Sequence, residues 1–578
     1  MAVVVPALLA FNISPSSTFL NQAAALLGWG AFLAWTTPHR PSFNLLWFEV
    51  KPGLYAVGLL ACAAAIAAVW WRLPFTLALS AIGILGAAGL ALTVAAAVST
   101  ESCGETVFRA FCLALLLAGV LSLLVALVQY FVPEWADGNW IARAAAGGRA
   151  GGNLRQPNHL SSLLLLAMAS LFWLHENLVE RDPSFALKPL RTATTALVIA
   201  LLFGVVLTVS RTGTVCVVFL ALWGVIDRHL SRFTRVLLWL APLVYVLCWL
   251  GVSEWAQTGA HDFAGATQLH KADPSSSRFG IWANTFTLIA QNPWFGVGWG
   301  EFNFAWTLTP FPGRPGAFFD HTHNLPLQFL VELGIPLGTL VLTLLGWALW
   351  KAFVACREAP ASDSLTVRSA FVMVLMMVVH SMLEYPLWYA YFLLPTAFAF
   401  GICLGRPGAT VGGAETKSAV GGVWLRRTLL VASIALVVGA VASVVDYMRV
   451  VVIFAPPEGA SPLSTRIAEG QRSWFFAHHA DYAAATTADH PAEAMDAFKR
   501  APHYLLDTRL MMAWAHALND SGDVERARYI AQRLKEFRNP GSDDFFAECD
   551  APRAAGEAAP FQCTPPSKAF TYEDFRQR

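Results

Sequence analysis

Residues 54–71 read LYAVGLLACAAAIAAVWW, eighteen positions without a charged group. A helix rises about 1.5 Å per residue, so this run is close to what the hydrocarbon core of a bilayer requires. Residues 429–445, LLVASIALVVGAVASVV, repeat the pattern. Counting such runs places spans near 2–15, 19–36, 54–71, 74–98, 107–131, 159–175, 192–209, 212–227, 234–251, 325–350, 368–384, 387–404 and 428–453. Across 578 residues the chain is 56% hydrophobic and 13% charged, too little charge to cover a soluble surface of that size. The expected fold class is an all-α polytopic membrane protein of about 12–13 transmembrane helices.

Other classes fall away on composition. The formal net charge is +1 and no basic cluster stands out, so nucleic acid is not an expected partner. The opening MAVVVPALLAFNIS lacks a basic leader and a small-residue cleavage site, and is read as a first helix rather than a removable signal. Of nine cysteines, Cys62, Cys112, Cys216, Cys248 and Cys403 lie in apolar runs, and no Cys/His spacing points to a metal. Cys549 and Cys563 are the pair in the polar tail, able to join in an oxidising compartment.

Loop charges orient the spans. Arg228, Arg232 and Arg235 share a side with Arg181, Lys188 and Arg191, with Lys351, Arg357 and Arg368, and with Arg406, Lys417, Arg426 and Arg427. The positive-inside rule makes that side cytoplasmic. The opposite side receives loop 132–158, the SRTG turn at 210–213, a long loop 252–324, the EYPLWY turn at 384–389 and the tail 454–578. The expected division is thus a membrane domain over 1–453 and a tail of paired amphipathic helices, loosely like tetratricopeptide repeats. That tail suits a binding role, or plain packing.

Four polar clusters border the apolar runs on the outer face. GGNLRQPNHLSS holds Arg155, Gln156, Asn158 and His159; here Asn158 is placed to cap the next helix and Gln156, before Pro157, to point away from its axis. TVSRTGT holds Arg211, a snorkelling residue or a functional one. SSSRFGIWANTFTLIAQNPWFGVGWGEFN holds Arg278. FFDHTHNLPLQFL holds Asp320, His321, His323 and Asn324 at a helix start. The two-residue spacing of His321 and His323 does not match a helical zinc pair, and no metal is expected. A neutral His323 can accept a proton near pH 7, as a general base must. HSMLEYPLWYAYF adds His380, Glu384, Tyr385, Tyr389 and Tyr391, whose tyrosines also suit an interfacial aromatic belt. Arginine forks suit a diphosphate, and a donor used outside the cytoplasm must arrive already activated.

These motifs resemble the O-antigen ligase/polymerase superfamily through SRTG, NPWFGVGWGEF and HTHNLPLQFLVELGIPLG. Within it, GGNLRQPNHLSSLLLL, HSMLEYPLWYAYFLLP and the tail FAHHADYAAATTADHPAEAMDAFKRAPHYLLDTRLMMAWAHALNDSG are similar to the PglL-type protein O-oligosaccharyltransferases. The resemblance implies a GT-C-like enzyme of the bacterial inner membrane with its active site facing the periplasm. It would move a glycan from undecaprenyl diphosphate to Ser or Thr of periplasmic proteins such as pilins, without cofactor. By motif, His323, Gln156 and Tyr389 carry the catalytic roles, with Tyr385 a rival to Tyr389, and Arg211 and Arg278 bind diphosphate. Arg155, Asn324, His321 and Glu384 join them as candidate substrate-binding residues. The alternatives are an O-antigen ligase acting on lipid A-core, an O-antigen polymerase, or a lipid-linked glycan transporter. A transporter would need polar groups near the midplane, whereas these gather on one face. Without a carboxylate pair, direct displacement with inversion is the simpler chemistry, Glu384 being the one outer carboxylate that complicates it.

Overall fold

The computed structural model describes residues 1–39, 41, 43–181, 187–259, 263–265, 277–405, 419–550 and 558–576. These residues are helical throughout, joined by turns and loops, with one isolated bridge between Ala145 and Arg149 and no strand among them. Nine of the described helices are long and apolar enough to cross a membrane, from Glu49–Trp70 to Gly422–Phe454, and Arg211–Ile226 and Ala390–Leu404 are shorter apolar helices. The polytopic all-α reading holds.

The run 2–15 behaves differently from the expectation. It forms only the five-residue helix Val4–Leu8. Polar side chains explain why. Asn21, 1% exposed, donates to the carbonyls of Pro6 at 2.9 Å and Leu9 at 2.8 Å, and takes a bond from Asn12 at 2.7 Å. Those carbonyls are therefore satisfied by a neighbouring side chain instead of by further helix, as a chain in an apolar environment demands.

The chain divides into two compact units. The first comprises Met1–Val57, Gly86–Pro274 and Leu344–Ala442; the second comprises Gly58–Leu85, Ser275–Thr343 and Ser443–Arg578.

In the first unit the helix Pro157–Arg181 is the most enclosed span, 78% of its apolar window being buried, so its polar residues face protein rather than lipid. Helix Gly104–Phe131 approaches it closely at Gly119, where an added Cβ would lie 2.3 Å from the Ala167 methyl. Small residues permit such backbone approach, which dispersion then rewards. Loop charges used for orientation are partly paired: Arg368 meets Asp227 at 2.8 Å and Lys351 meets Glu49 at 2.8 Å.

In the second unit the tail does not form a core by itself. Trp514, Phe498, Leu510 and Ile530 of the tail pack in one apolar cluster with Ile281, Phe302, Trp306 and Val331. Helices Thr508–Asp520 and Val524–Glu536 carry the amphipathic pattern, and Asp507 and Asp523 cap them. The NDSGD break is real: Gly522 turns the chain at φ +88°. Arg314, 2% exposed, bolts loop to tail. It donates to the Thr307 carbonyl at 3.1 Å, pairs with Glu536 at 3.1 Å and lies over the Phe537 ring at 4.4 Å. Cys549 and Cys563 are joined as a disulfide.

Two tail histidines are buried neutral. His478 shares a hydrogen bond with Thr76 at 2.9 Å, and His479 packs its ring beside Tyr504 at 5.0 Å. Burial pushes His479 down to about 4, and burial with the neighbouring His479 holds His478 well below its usual value. The folded state therefore binds fewer protons than the unfolded state below about pH 6.5. Stability is expected to fall as pH drops from about 6.5 toward 4, by about 3 kcal/mol for His479 alone. Thermal unfolding of the detergent-solubilised chain at pH 7.5, 5.5 and 4.5 checks this. His479→Gln is expected to flatten the dependence, and an unchanged slope would refute the assignment.

Candidate active site

In the first unit the stretch 150–162 builds a bent lead into helix Pro157–Arg181. Buried Gln129 shapes it, donating to the carbonyls of Ala142 (2.6 Å) and Gly152 (3.1 Å) and accepting from the N–H groups of Gly151 (3.1 Å) and Gly152 (2.8 Å). Gly152 and Arg155 both adopt positive φ, +61° and +58°. The cap is assigned differently from the sequence expectation. Pro157 has no N–H, so the first donor of the helix is the Asn158 amide, and the Gln156 side-chain oxygen accepts from it at 2.7 Å. Gln156 is thus turned back onto the helix start through Oε1 rather than pointing away. Arg155 donates to the Ser17 carbonyl at 3.1 Å. Burial draws the Arg155 guanidinium below its ordinary pKa, and Tyr391 opposes this.

Asn158 is released from capping to bridge. Its Nδ2 donates to Glu384 at 2.8 Å, and its Oδ1 accepts from the Ser210 hydroxyl at 2.7 Å. Ser210 in turn caps helix Arg211–Ile226 by accepting from Gly213 at 3.0 Å, which fixes half-buried Arg211 at the helix start. Arg149 braces the same turn through the Thr208 carbonyl at 3.0 Å. Beneath lies His159, 2% exposed, sharing a hydrogen bond with the Tyr391 hydroxyl at 3.1 Å and meeting the Tyr389 ring edge-on at 4.6 Å. His380 is fully buried and bonded to Ser162 at 2.7 Å. Tyr385 and Tyr389 have ring centroids 5.9 Å apart, both half-buried. The first unit therefore gathers Gln156, Glu384, Arg211, Tyr385 and Tyr389 on helix starts and turns linked by Asn158 and His159.

In the second unit the DHTHN stretch folds as a tight loop ahead of helix Leu325–Glu358. Asn324 caps that helix, accepting from the Leu327 amide at 3.0 Å, so its side-chain oxygen serves the backbone. His321 is buried and hydrogen-bonds Asp320 through Nδ1. His323 is half-buried at φ +54°, with the His321 ring 4.3 Å away and the Phe319 ring 5.6 Å away. A left-handed conformation at a residue with a Cβ costs roughly 1–3 kcal/mol and persists only where the surroundings enforce it. Arg278 opens helix Arg278–Gln291 directly after Ser277, which is itself left-handed at φ +66°.

The NPWFGVGWG turn interlocks with a break in the helix that follows the histidines. Gly334 is non-helical at φ +75°, ψ +171°. Around it, the amides of Val297 and Gly298 donate to the Val331 and Glu332 carbonyls at 2.8 and 3.0 Å, and the Ile335 amide to the Pro293 carbonyl at 2.8 Å. Two groups here escaped the sequence reading. Glu332 is an ionisable residue within an apolar run, a signal that LVELG carried. Glu301 and His503, bonded at 2.7 Å and almost wholly buried, lie 202 residues apart, and no local pattern links them. His159 and His380 were visible as histidines, but only packing shows His159 against Tyr389 and Tyr391 and His380 bonded to Ser162.

Comparison with known proteins adds an independent line. Residues 150–175 match the protein glycosylation ligase family, residues 196–342 the O-antigen ligase family, and residues 369–544 the C-terminal region of the virulence factor membrane-bound polymerases. A general O-oligosaccharyltransferase of Acinetobacter baylyi (strain ATCC 33305 / BD413 / ADP1) is 28% identical over 291 residues, covering 49% of this chain and 48% of that protein. A ComP-specific O-oligosaccharyltransferase of the same strain is 26% identical over 288 residues, with 49% and 48% covered. The chain spans about half the length of the curated relatives it matches. By three family matches in chain order and two curated relatives, it is similar to the PglL-type O-oligosaccharyltransferases of the O-antigen ligase superfamily.

Proposed function

We propose that this protein is a membrane glycosyltransferase that transfers a glycan en bloc from undecaprenyl diphosphate to Ser or Thr of a periplasmic, pilin-like protein. The observation that carries this reading is the protein glycosylation ligase match over residues 150–175, which contains the RQPNH stretch at 155–159. In this reading His323 takes the acceptor hydroxyl proton as the oxygen attacks the anomeric carbon. The bond from that carbon to the diphosphate oxygen breaks, and Arg211 and Arg278 bear the charge that develops on the leaving group. The substrate opposite face is attacked, so configuration inverts. Arg155, Gln156, Tyr385 and Tyr389 orient the donor. The tail reads as the acceptor-recognition element, and its Cys549–Cys563 disulfide suits an oxidising compartment.

The test is reconstitution of the purified chain with an undecaprenyl-diphosphate glycan, a pilin-like acceptor and lipid A-core, the mass of each acceptor being read. A gain equal to one glycan is expected. An unmodified acceptor, with lipid A-core gaining the glycan instead, favours the ligase reading that the match over residues 196–342 also suits. Arg211→Ala and Arg278→Ala are each expected to lower kcat about 10²–10³-fold; turnover at the wild-type rate would remove them from the diphosphate role.

A further inference from the structure

The left-handed backbone at His323 needs a cause, and it lies in the preceding residue. The Thr322 amide donates to the Gln328 side-chain oxygen at 2.8 Å, and the Thr322 carbonyl accepts from the Trp282 indole N–H at 3.0 Å. The two peptide groups that flank the Thr322 Cα are thereby each held by a side chain, one from each of two helices. Gln328 is itself oriented, because its Nε2 donates to Glu332 at 2.9 Å. Thr322, Gln328 and Glu332 are 0%, 2% and 4% exposed, so water cannot readily replace these bonds. The Thr322 hydroxyl closes the loop on the Asn324 carbonyl at 2.8 Å. Glu332 has the Gly300 and Phe302 backbone N–H groups turned toward its carboxylate, which anchors the far end of the chain of bonds in the WFGVGWG turn.

We infer that Gln328, oriented by Glu332, and Trp282 are positioning residues that clamp Thr322 through its two peptide groups and so aim the His323 imidazole. Trp282 also sets a second distance. It sits four residues after Arg278 on helix Arg278–Gln291, and residues four apart share a helix face. Its bond to Thr322 therefore ties the helix carrying a diphosphate-binding arginine to the loop carrying the base. The inference rests on the assignment of His323 as that base. Neither clamp residue touches substrate in this scheme; each acts through His323.

The distinguishing readout is the split between kcat and KM, measured in the reconstituted transfer assay with Gln328→Met and Trp282→Phe, which keep shape and lose the bond. Each is expected to lower kcat roughly ten- to hundredfold, the scale of a reacting group misplaced by about 1 Å. Both KM values are expected to stay within about twofold and the melting temperature to hold. The double variant is expected to lose less than the product of the two, since either loss alone loosens the same residue, Thr322. In a His323→Ala background neither change is expected to cost anything more. Wild-type kcat in both single variants, or a fall in kcat matched by an equal fall in folded protein, overturns the clamp while leaving His323 in place as base. Full activity of His323→Ala removes the base assignment and the clamp together.

Discussion

His323→Ala is expected to lower glycan transfer by about 10²–10⁴-fold at equal membrane levels, the contribution of a positioned general base. His323 stands at the mouth of helix Leu325–Glu358 in a left-handed conformation that costs roughly 1–3 kcal/mol. Its neighbour supplies the control. His321 is buried and already bonded to Asp320, so it lacks the exposure needed to reach an acceptor hydroxyl. His321→Ala is expected to act through loop order and to cost less than His323→Ala. Single-turnover rates with preformed donor complex separate the two, because they report the chemical step. Loss in His321→Ala exceeding that in His323→Ala would reverse the assignment.

The second large effect is structural. Gly334→Ala is expected to destabilise the second unit by roughly 3 kcal/mol and to abolish transfer. An added Cβ would lie 2.4 Å from the Trp294 carbonyl oxygen, and the backbone there sits at φ +75°. Backbone cannot give way as a flexible side chain can. Gly296→Ala meets the same obstacle from the other side, its Cβ falling 2.5 Å from the Glu332 carbonyl. Each glycine is required by the other's segment, so the two variants are expected not to add: the first already opens the interlock. Thermal unfolding in detergent checks both, and a melting temperature unchanged in either variant would refute the requirement.

How much of this was written in the sequence depends on range. Span-forming runs such as 75–99 and 104–131 follow from local hydrophobicity and were legible to within a few residues. The run 2–15 was not, because Asn12 and Asn21 settle their bonds tertiarily. Of the site, the residue types and the motifs were legible, while their partners were not. Whether Gln156 or Asn158 caps the helix is decided by which amide Pro157 leaves as the first donor, together with the pull of Glu384 and Ser210 on Asn158. The Glu301–His503 pair and the clamp on Thr322 arise from packing across sequence distances that no periodicity encodes.

The shared apolar core of loop and tail has a practical corollary for exchanging the tail between relatives. Trp514 and Phe498 rest on the same cluster as Trp306 and Phe302, and Asn303 both donates to the Phe319 carbonyl at 3.0 Å and accepts from the Leu506 amide at 2.7 Å. A chimera that swaps the tail alone would join two halves of a core that were never matched. The transplantable piece is residues 58–85, 275–343 and 443–578, moved as one set.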